Sequence, residues 1–189
     1  MKRVPIADVE SWTSPASERR PLAKALGAEN VAINYFELEP GEQFGFGYHR
    51  HPDQEEVFYV LDGTATFETE DGDVTISADG AIRFEPGEWQ LGRNEGDERL
   101  RALALGAPPD SDTELTRECA DCGGRQPTRI ERADGEDALV TICETCVQPP
   151  VSDWGFRLSH SDYCDCLPGR PHAVARSIPE RLTIITIRC

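Results

Sequence analysis

The chain has 189 residues, room for one ordinary domain with a small appendage, and 38% of them are hydrophobic, enough for a core. Its 35 acidic against 19 basic residues give a net charge of -16, which disfavours attraction to nucleic acid or to an anionic membrane. No apolar run approaches the ~18 residues of a membrane span. The opening MKRVPIADVESW has positive charge but no apolar stretch after it, so no secretory signal is expected and the expected location is the cytoplasm.

Residues 1–30 read as a polar, proline-bearing lead-in segment, with one short helix in PLAKALGAEN ending at Gly27. From 31 to 106 the pattern changes to strands of five to eight residues. NVAINYFELEPGE supplies one, EEVFYVLDGTATFETEDGD two, VTISADGAIRFEPGE a further pair and ERLRALALGAP the last. Pro40-Gly41, Asp62-Gly63, Asp71-Gly72, Asp79-Gly80 and Pro86-Gly87 punctuate them as tight turns. Regular short strands with turn signals and no helical period predict an all-β sandwich or barrel. APPDSDTE, 107–114, reads as a solvated linker because its prolines force extension. A cysteine-bearing segment, 115–146, follows it.

Within HRHPDQEEVFYVLDG, His49 and His51 are two apart on a strand and so share a face. A carboxylate from the next strand can join them in a metal site, although an isolated HxH near a turn also occurs as plain surface polarity. The residues around the pair weigh toward the site. After His51 come four residues, Glu56, six residues and Gly63, which resembles the first motif of the cupin superfamily. Its opening glycine is out of place, since Gly41, Gly45 and Gly47 do not give the usual spacing. GAIRFEPGEWQLGRN resembles the second motif. It opens on Gly80 and carries Gly87 and Asn94, with Glu85 at the proline position, Pro86 one place later, and Gln90 where a fourth ligand histidine stands. The resemblance, of the single-barrel cupin 2 type, implies an antiparallel jelly-roll barrel over 31–106. It also implies a metal held by His49, His51, Glu56 and Gln90. An amide oxygen is a weaker donor than imidazole and shifts the set toward Fe2+, Mn2+ or Ni2+; a three-ligand or empty site, with Gln90 only hydrogen-bonding, is the alternative. On parity, Phe44, Phe46, Tyr48 and Arg50 are expected to face away from the histidines, toward outer packing or a homodimer seam. Phe58 shares parity with Glu56 and is expected to face the cavity, and Arg83 is the nearest anion anchor for a substrate.

Seven cysteines without a secretory signal point to metal or redox use rather than to a disulfide framework. Cys119, Cys122, Cys143 and Cys146 form C-x2-C-x20-C-x2-C, the spacing of a Zn2+ tetrathiolate built from two knuckles. TRIERA and ALVTI, around an Asp-Gly turn, predict the hairpin of a small zinc ribbon. Gly123-Gly124 lets backbone amides turn toward the sulfurs, and the second knuckle lacks such a glycine. Thioredoxin-like CxxC chemistry would need a βαβ context, which is missing. Acid-rich flanks favour a structural or protein-binding role for the ribbon over nucleic-acid reading.

The charge is uneven. Residues 1–109 carry 21 acids and 10 bases, 110–146 carry 10 and 4, and 147–189 carry 4 and 5. The tail has therefore lost the acidic bias and is expected to be poorly ordered; a shifted reading frame would explain the change. Its His160, His172, Cys164, Cys166 and Cys189 match no known ligand spacing. Only Lys2 and Lys24 are lysines, and this lysine poverty with acid excess resembles proteins of salt-in halophiles. Two functions compete. One is a small-molecule metalloenzyme, oxygenase- or isomerase-like, using the His/His/Glu/Gln set. The other is a non-catalytic ligand-binding or sensor module whose ribbon meets a protein partner. Fold alone does not choose between them.

Overall fold

The computed structural model describes residues 1–132 and 139–146 and the backbone of 174–177 and 183–186. The chain divides into two units, 1–114 and 115–189. Among the described residues, no helix is long and apolar enough to cross a membrane.

The first unit is built from β1 (Glu18–Pro21), α1 (Leu22–Leu26), β2 (Ala32–Leu38), β3 (Tyr48–Arg50), β4 (Glu55–Asp62), β5 (Thr64–Thr69), β6 (Gly72–Ser77), β7 (Ala81–Phe84), β8 (Gln90–Arg93) and β9 (Leu100–Ala107). One sheet runs β1-β2-β9-β4-β7, and β3-β8-β5-β6 forms the other. Every pairing within these two sets is antiparallel. The arrangement is the jelly-roll type expected for 31–106, and the expected turn residues connect it. At Gly63 the turn requires glycine twice over: φ is +79°, and a Cβ would come within 2.8 Å of the Arg99 carbonyl oxygen.

Period-two alternation packs the core. Phe58 and Val60 of β4, Leu100, Ala102 and Ala104 of β9, and Phe36 and Leu38 of β2 point inward, while Arg101 and Asp62 pair outside. Phe44, Phe58, Phe67 and Phe84 form an aromatic cluster with ring centroids 4.9 to 6.2 Å apart. Two expectations change here. Phe44 lies in this core, 6% exposed, rather than on the outer face. Residues 44–47 bend instead of continuing as strand, so parity counted back from His49 fails. Phe58 is 2% exposed and packed on all sides, a floor of the core rather than a cavity wall. Tyr48 and Arg50, which do belong to β3, stack on Trp89 as outward-facing residues should.

Residues 1–30 contribute a strand and apolar side chains to the first unit. β1 extends the barrel sheet by pairing with β2, and Val9, Leu22 and Tyr35 form a second apolar cluster. The predicted helix is five residues long and ends at Gly27 in the left-handed region, φ 69°. The ERRP stretch was not legible as strand because a lone edge strand of four residues has too short an alternation to register.

The second unit contains β10 (Glu114–Glu118), β11 (Arg125–Arg132) and β12 (Leu139–Cys143), with β10–β11 and β11–β12 antiparallel. TRIERA and ALVTI thus pair as expected, while the Asp-Gly turn between them lies outside the described residues. β13 (Val174–Ser177) and β14 (Thr183–Thr186) pair with each other, and β14 runs parallel to β12. The remaining expectations for the tail, including its histidines and cysteines, fall outside the described residues.

Candidate metal centres

His49 lies on β3 directly opposite Gln90 on β8, His51 follows one residue after β3, and Glu56 is near the start of β4. All four side chains meet at one end of the barrel. The ligand atoms of His49, His51 and Glu56 lie within 4.8 Å of one another. Gln90 Nε2 donates to Glu56 Oε2 at 3.0 Å and sits 3.0 Å from His49 Nε2; His51 Nε2 is 3.9 Å from Glu56 Oε2. Octahedral ligands at ~2.1 Å from an ion stand roughly 3.0 Å apart when adjacent and 4.2 Å when opposite. The observed spacing needs a contraction of tenths of an ångström.

The outer hydrogen bonds prepare both imidazoles. His49 Nδ1 is 2.9 Å from the Gly47 carbonyl, and His51 Nδ1 is 3.1 Å from the Asp112 carbonyl and 3.2 Å from Thr113 Oγ1. A carbonyl oxygen only accepts, so each Nδ1 carries the proton and each Nε2 lone pair is left facing the centre. Residues 110–113, expected as solvated linker, therefore run back along the histidine strand; a Ser111–Asp53 hydrogen bond holds them there as well. Gly45 is the other support. A Cβ at this position would meet His49 Cε1 at 2.9 Å, so the ring fits only above a glycine.

Burial tunes the charges. It drives the His49 imidazole down to about 4, against the Gly47 carbonyl, with the neighbouring His51 adding to the fall. It drives the Glu56 carboxyl up to about 7, while the Gln90 amide and the field of Arg19 pull the other way. Gln90 is 1% exposed, and its Oε1 is buried without a hydrogen-bond partner. Rotating the amide exchanges its two ends and presents that oxygen to the centre, so the orphaned atom and the inward lone pairs both fit a divalent ion. Asn94, the asparagine of the second motif, takes no part in the centre. It is 1% exposed and ties β8 to its neighbours by donating to the Leu38 and Glu98 carbonyls and accepting from the Gly96 amide.

Arg83 is not in the centre. Ile82 and Phe84 of β7 point in, so Arg83 points out, half exposed, and pairs with Glu55 and Glu85. Arg19 of β1 was overlooked in the sequence; it is the arginine whose field reaches Glu56. Nothing near Arg19 in the sequence marks it.

Residues 34–106 match the family model described as Cupin domain. That stretch is similar to a cupin domain. The match, with the histidine pair, Glu56, Gly63, Gly87 and Asn94 inside it, supports membership of the cupin superfamily for this part of the chain. Solved structures agree on the fold. A cupin-superfamily sugar phosphate isomerase from Silicibacter pomeroyi is 18% identical, with a TM-score of 0.55 over 68% of this chain and 92% of its own. The polyketide cyclase RemF from Streptomyces resistomycificus is 24% identical, with a TM-score of 0.54 over 64% of this chain and 89% of its own. A predicted oxalate decarboxylase from Thermotoga maritima is 23% identical, with a TM-score of 0.50 over 57% of this chain and 99% of its own. At these identities the likeness is one of cupin fold, and the three names differ in chemistry. None of the curated proteins matches the chain.

In the second unit, Cys119, Cys122, Cys143 and Cys146 are free thiols with all four sulfurs within 4.8 Å of one another. Pairs lie at 2.8 Å (Cys122–Cys146), 3.2 Å (Cys119–Cys146), 3.4 Å (Cys143–Cys146) and 3.9 Å (Cys122–Cys143). A tetrahedral ion with bonds of ~2.3 Å separates its sulfurs by roughly 3.8 Å. Gly123 and Gly124, φ 72° and 70°, turn the first knuckle so that the Cys119 amide donates to the Gly124 carbonyl. Burial pushes the Cys143 thiol up, but hydrogen bonds from the Cys146 and Thr145 backbone and from neighbouring thiols outweigh it, to about 7. One sulfur is thus close to thiolate, the form that binds metal.

Proposed function

We propose that the cupin domain is a divalent-metal site that binds a small polar molecule on Fe2+, Mn2+ or Ni2+, using His49, His51, Glu56 and Gln90. The carrying observation is the pair of carbonyl-bound Nδ1 atoms, which leave both Nε2 lone pairs converging on Glu56. A bound ion would supply Lewis acidity, and a four-donor set leaves two octahedral positions for ligand or water. The protein's own groups hold and orient. His51 and Glu56 keep part of the centre open to solvent, with side chains 17% and 16% exposed.

The role of the ribbon follows the same reasoning. Four free thiols around one point support a structural Zn2+ at Cys119, Cys122, Cys143 and Cys146, with protein contact as the ribbon's use. Among the described residues at the barrel centre, the titrating groups are themselves the donors. That favours, as a second reading, a ligand-binding or sensor module without turnover.

Metal analysis of the purified chain tests both sites. The expected result is one zinc and one further divalent ion per chain. His51→Ala should lose the second ion alone, and Cys143→Ser the zinc alone. A wild-type barrel that takes up none of the three ions at any salt concentration refutes the metal site. Thiols that react freely in zinc-replete protein refute the ribbon.

A further inference from the structure

We propose that Arg19 is the anion anchor of the barrel, and that the ligand of its metal-binding end is a small organic acid whose carboxylate this guanidinium holds. The inference deepens the metal-site reading and rests on it for the ligand's second contact.

The placement comes from strand register. Arg19 on β1 stands opposite Phe36 on β2, and paired residues share a face. Phe36 is 5% exposed in the barrel core, so Arg19 also points inward. Its guanidinium carbon lies 6.0 Å from the Phe36 ring centroid and 5.9 Å from that of Trp12, within reach of a cation–π contact with each.

Most arginines of the barrel unit pair with a carboxylate. Arg20, Arg50, Arg83, Arg93, Arg99 and Arg101 each pair with a carboxylate. The Arg19 guanidinium makes no hydrogen bond or ion pair among the described residues, and its Nε is buried without a partner. A buried guanidinium nitrogen without a partner is unfavourable, and a carboxylate would satisfy it. Glu56 is near enough for each group to feel the other's charge, burial being the larger influence on both. That carboxylate cannot serve two cations fully once it holds an ion.

Charge narrows the ligand. A divalent ion with two neutral imidazoles, one carboxylate and an amide leaves a net single positive charge, and Arg19 adds another. Ala32, Asn34 and Phe36 of β2 and Ala102 and Ala104 of β9 share the inner faces between the strands of Arg19 and Glu56. A compact acid with one carboxylate for Arg19 and an oxygen for the ion matches this charge. Arg19 presents the planar fork suited to a carboxylate.

Calorimetry on the full chain loaded with Mn2+, using malonate and its uncharged diamide as probes, tests this. Malonate should bind and malonamide should not. Arg19→Met, which keeps the side-chain length beside Phe36 and Trp12, should weaken malonate at least tenfold and leave Mn2+ affinity within twofold. Arg19→Gln repeats the comparison should the first variant not fold. Should both fail, wild-type protein without metal decides, by binding malonate weakly and malonamide not at all. Equal affinity for the two probes, no malonate binding, or a folded variant that binds malonate like wild type would each overturn the anchor. If Mn2+ does not bind at all, the metal reading falls, and Arg19-dependent malonate binding by the metal-free chain still tests the anchor.

Discussion

Metal uptake by the barrel should displace a proton from Glu56. Burial holds this carboxyl at about 7, whereas an ion needs the carboxylate. At pH 6 a group titrating near 7 is about 90% protonated, and at pH 8 about 10%. The Glu56 share of proton release should thus be about 0.9 per ion at pH 6 and about 0.1 at pH 8. Its part of the apparent affinity should rise about tenfold from pH 5 to 6 and level off above 7. His49, held neutral down to about 4, adds nothing in this window. Calorimetric titrations with Mn2+ in buffers of different ionisation enthalpy measure the released protons, and Glu56→Gln isolates the share of Glu56. A second readout is the infrared difference spectrum, which should lose a protonated-carboxyl band when metal is added at pH 6. Equal proton release by wild type and a metal-binding Glu56→Gln, with no carboxyl band lost, would refute the buried-carboxyl argument. The same shifts act on stability without metal. Raised Glu56 stabilises fully below about 4.5, and that contribution is lost as pH rises to about 7. Depressed His49 stabilises above about 6.5, and that contribution is lost as pH falls to about 4. Each amounts to about 3 kcal/mol, and they oppose each other across pH 4.5–6.5. The metal-free wild type should therefore be nearly flat there in these two contributions, and Glu56→Gln should gain stability with rising pH.

Gln90→His should tighten metal binding, read by Mn2+ titration, because imidazole is the stronger donor; weaker binding in a folded variant would show that the amide is matched to the site. Gly45→Ala should displace the His49 ring, costing roughly 10- to 100-fold in metal affinity while the melting temperature stays nearly constant. Phe58→Ala should destabilise the barrel by about 3–5 kcal/mol in urea, since its ring meets Phe44, Phe67 and Phe84 and leaves a cavity none of them can fill.

The centre was legible because its spacing is short-range. His49, His51, Glu56 and Gly63 sit within one short stretch of chain, two consecutive strands and the turns beside them, where strand period and turn chemistry carry the pattern with no knowledge of the rest. Gln90 was reachable through the second motif for the same reason. What supports these groups was not legible. The partners of the two Nδ1 atoms are backbone carbonyls of Gly47 and Asp112, and a carbonyl carries no trace of residue type. Parity failed at Phe44 because residues 44–47 bend before β3 begins. Arg19 could not be placed either, since only the pairing of β1 with β2 turns it inward, and that pairing is set far from either motif.

Gln90 shows why an amide can replace a ligand imidazole without leaving the barrel end unsatisfied. With Nε2 inward it donates to Glu56 Oε2 and meets the His49 lone pair, holding the acceptors together when no cation does. The cost is the orphaned Oε1 on its other side. With the amide turned over, the oxygen would face a carboxylate oxygen and an imidazole lone pair, an arrangement of acceptors that only a cation stabilises. Ion binding and amide rotation are thus coupled by electrostatics alone, within a rotamer change of one buried side chain. A neutral imidazole there could also donate from one nitrogen and accept at the other, but only after a tautomer shift or a ring rotation needing more space. In a site where Gln90 is 1% exposed, the smaller planar amide makes the same exchange by turning about one terminal bond.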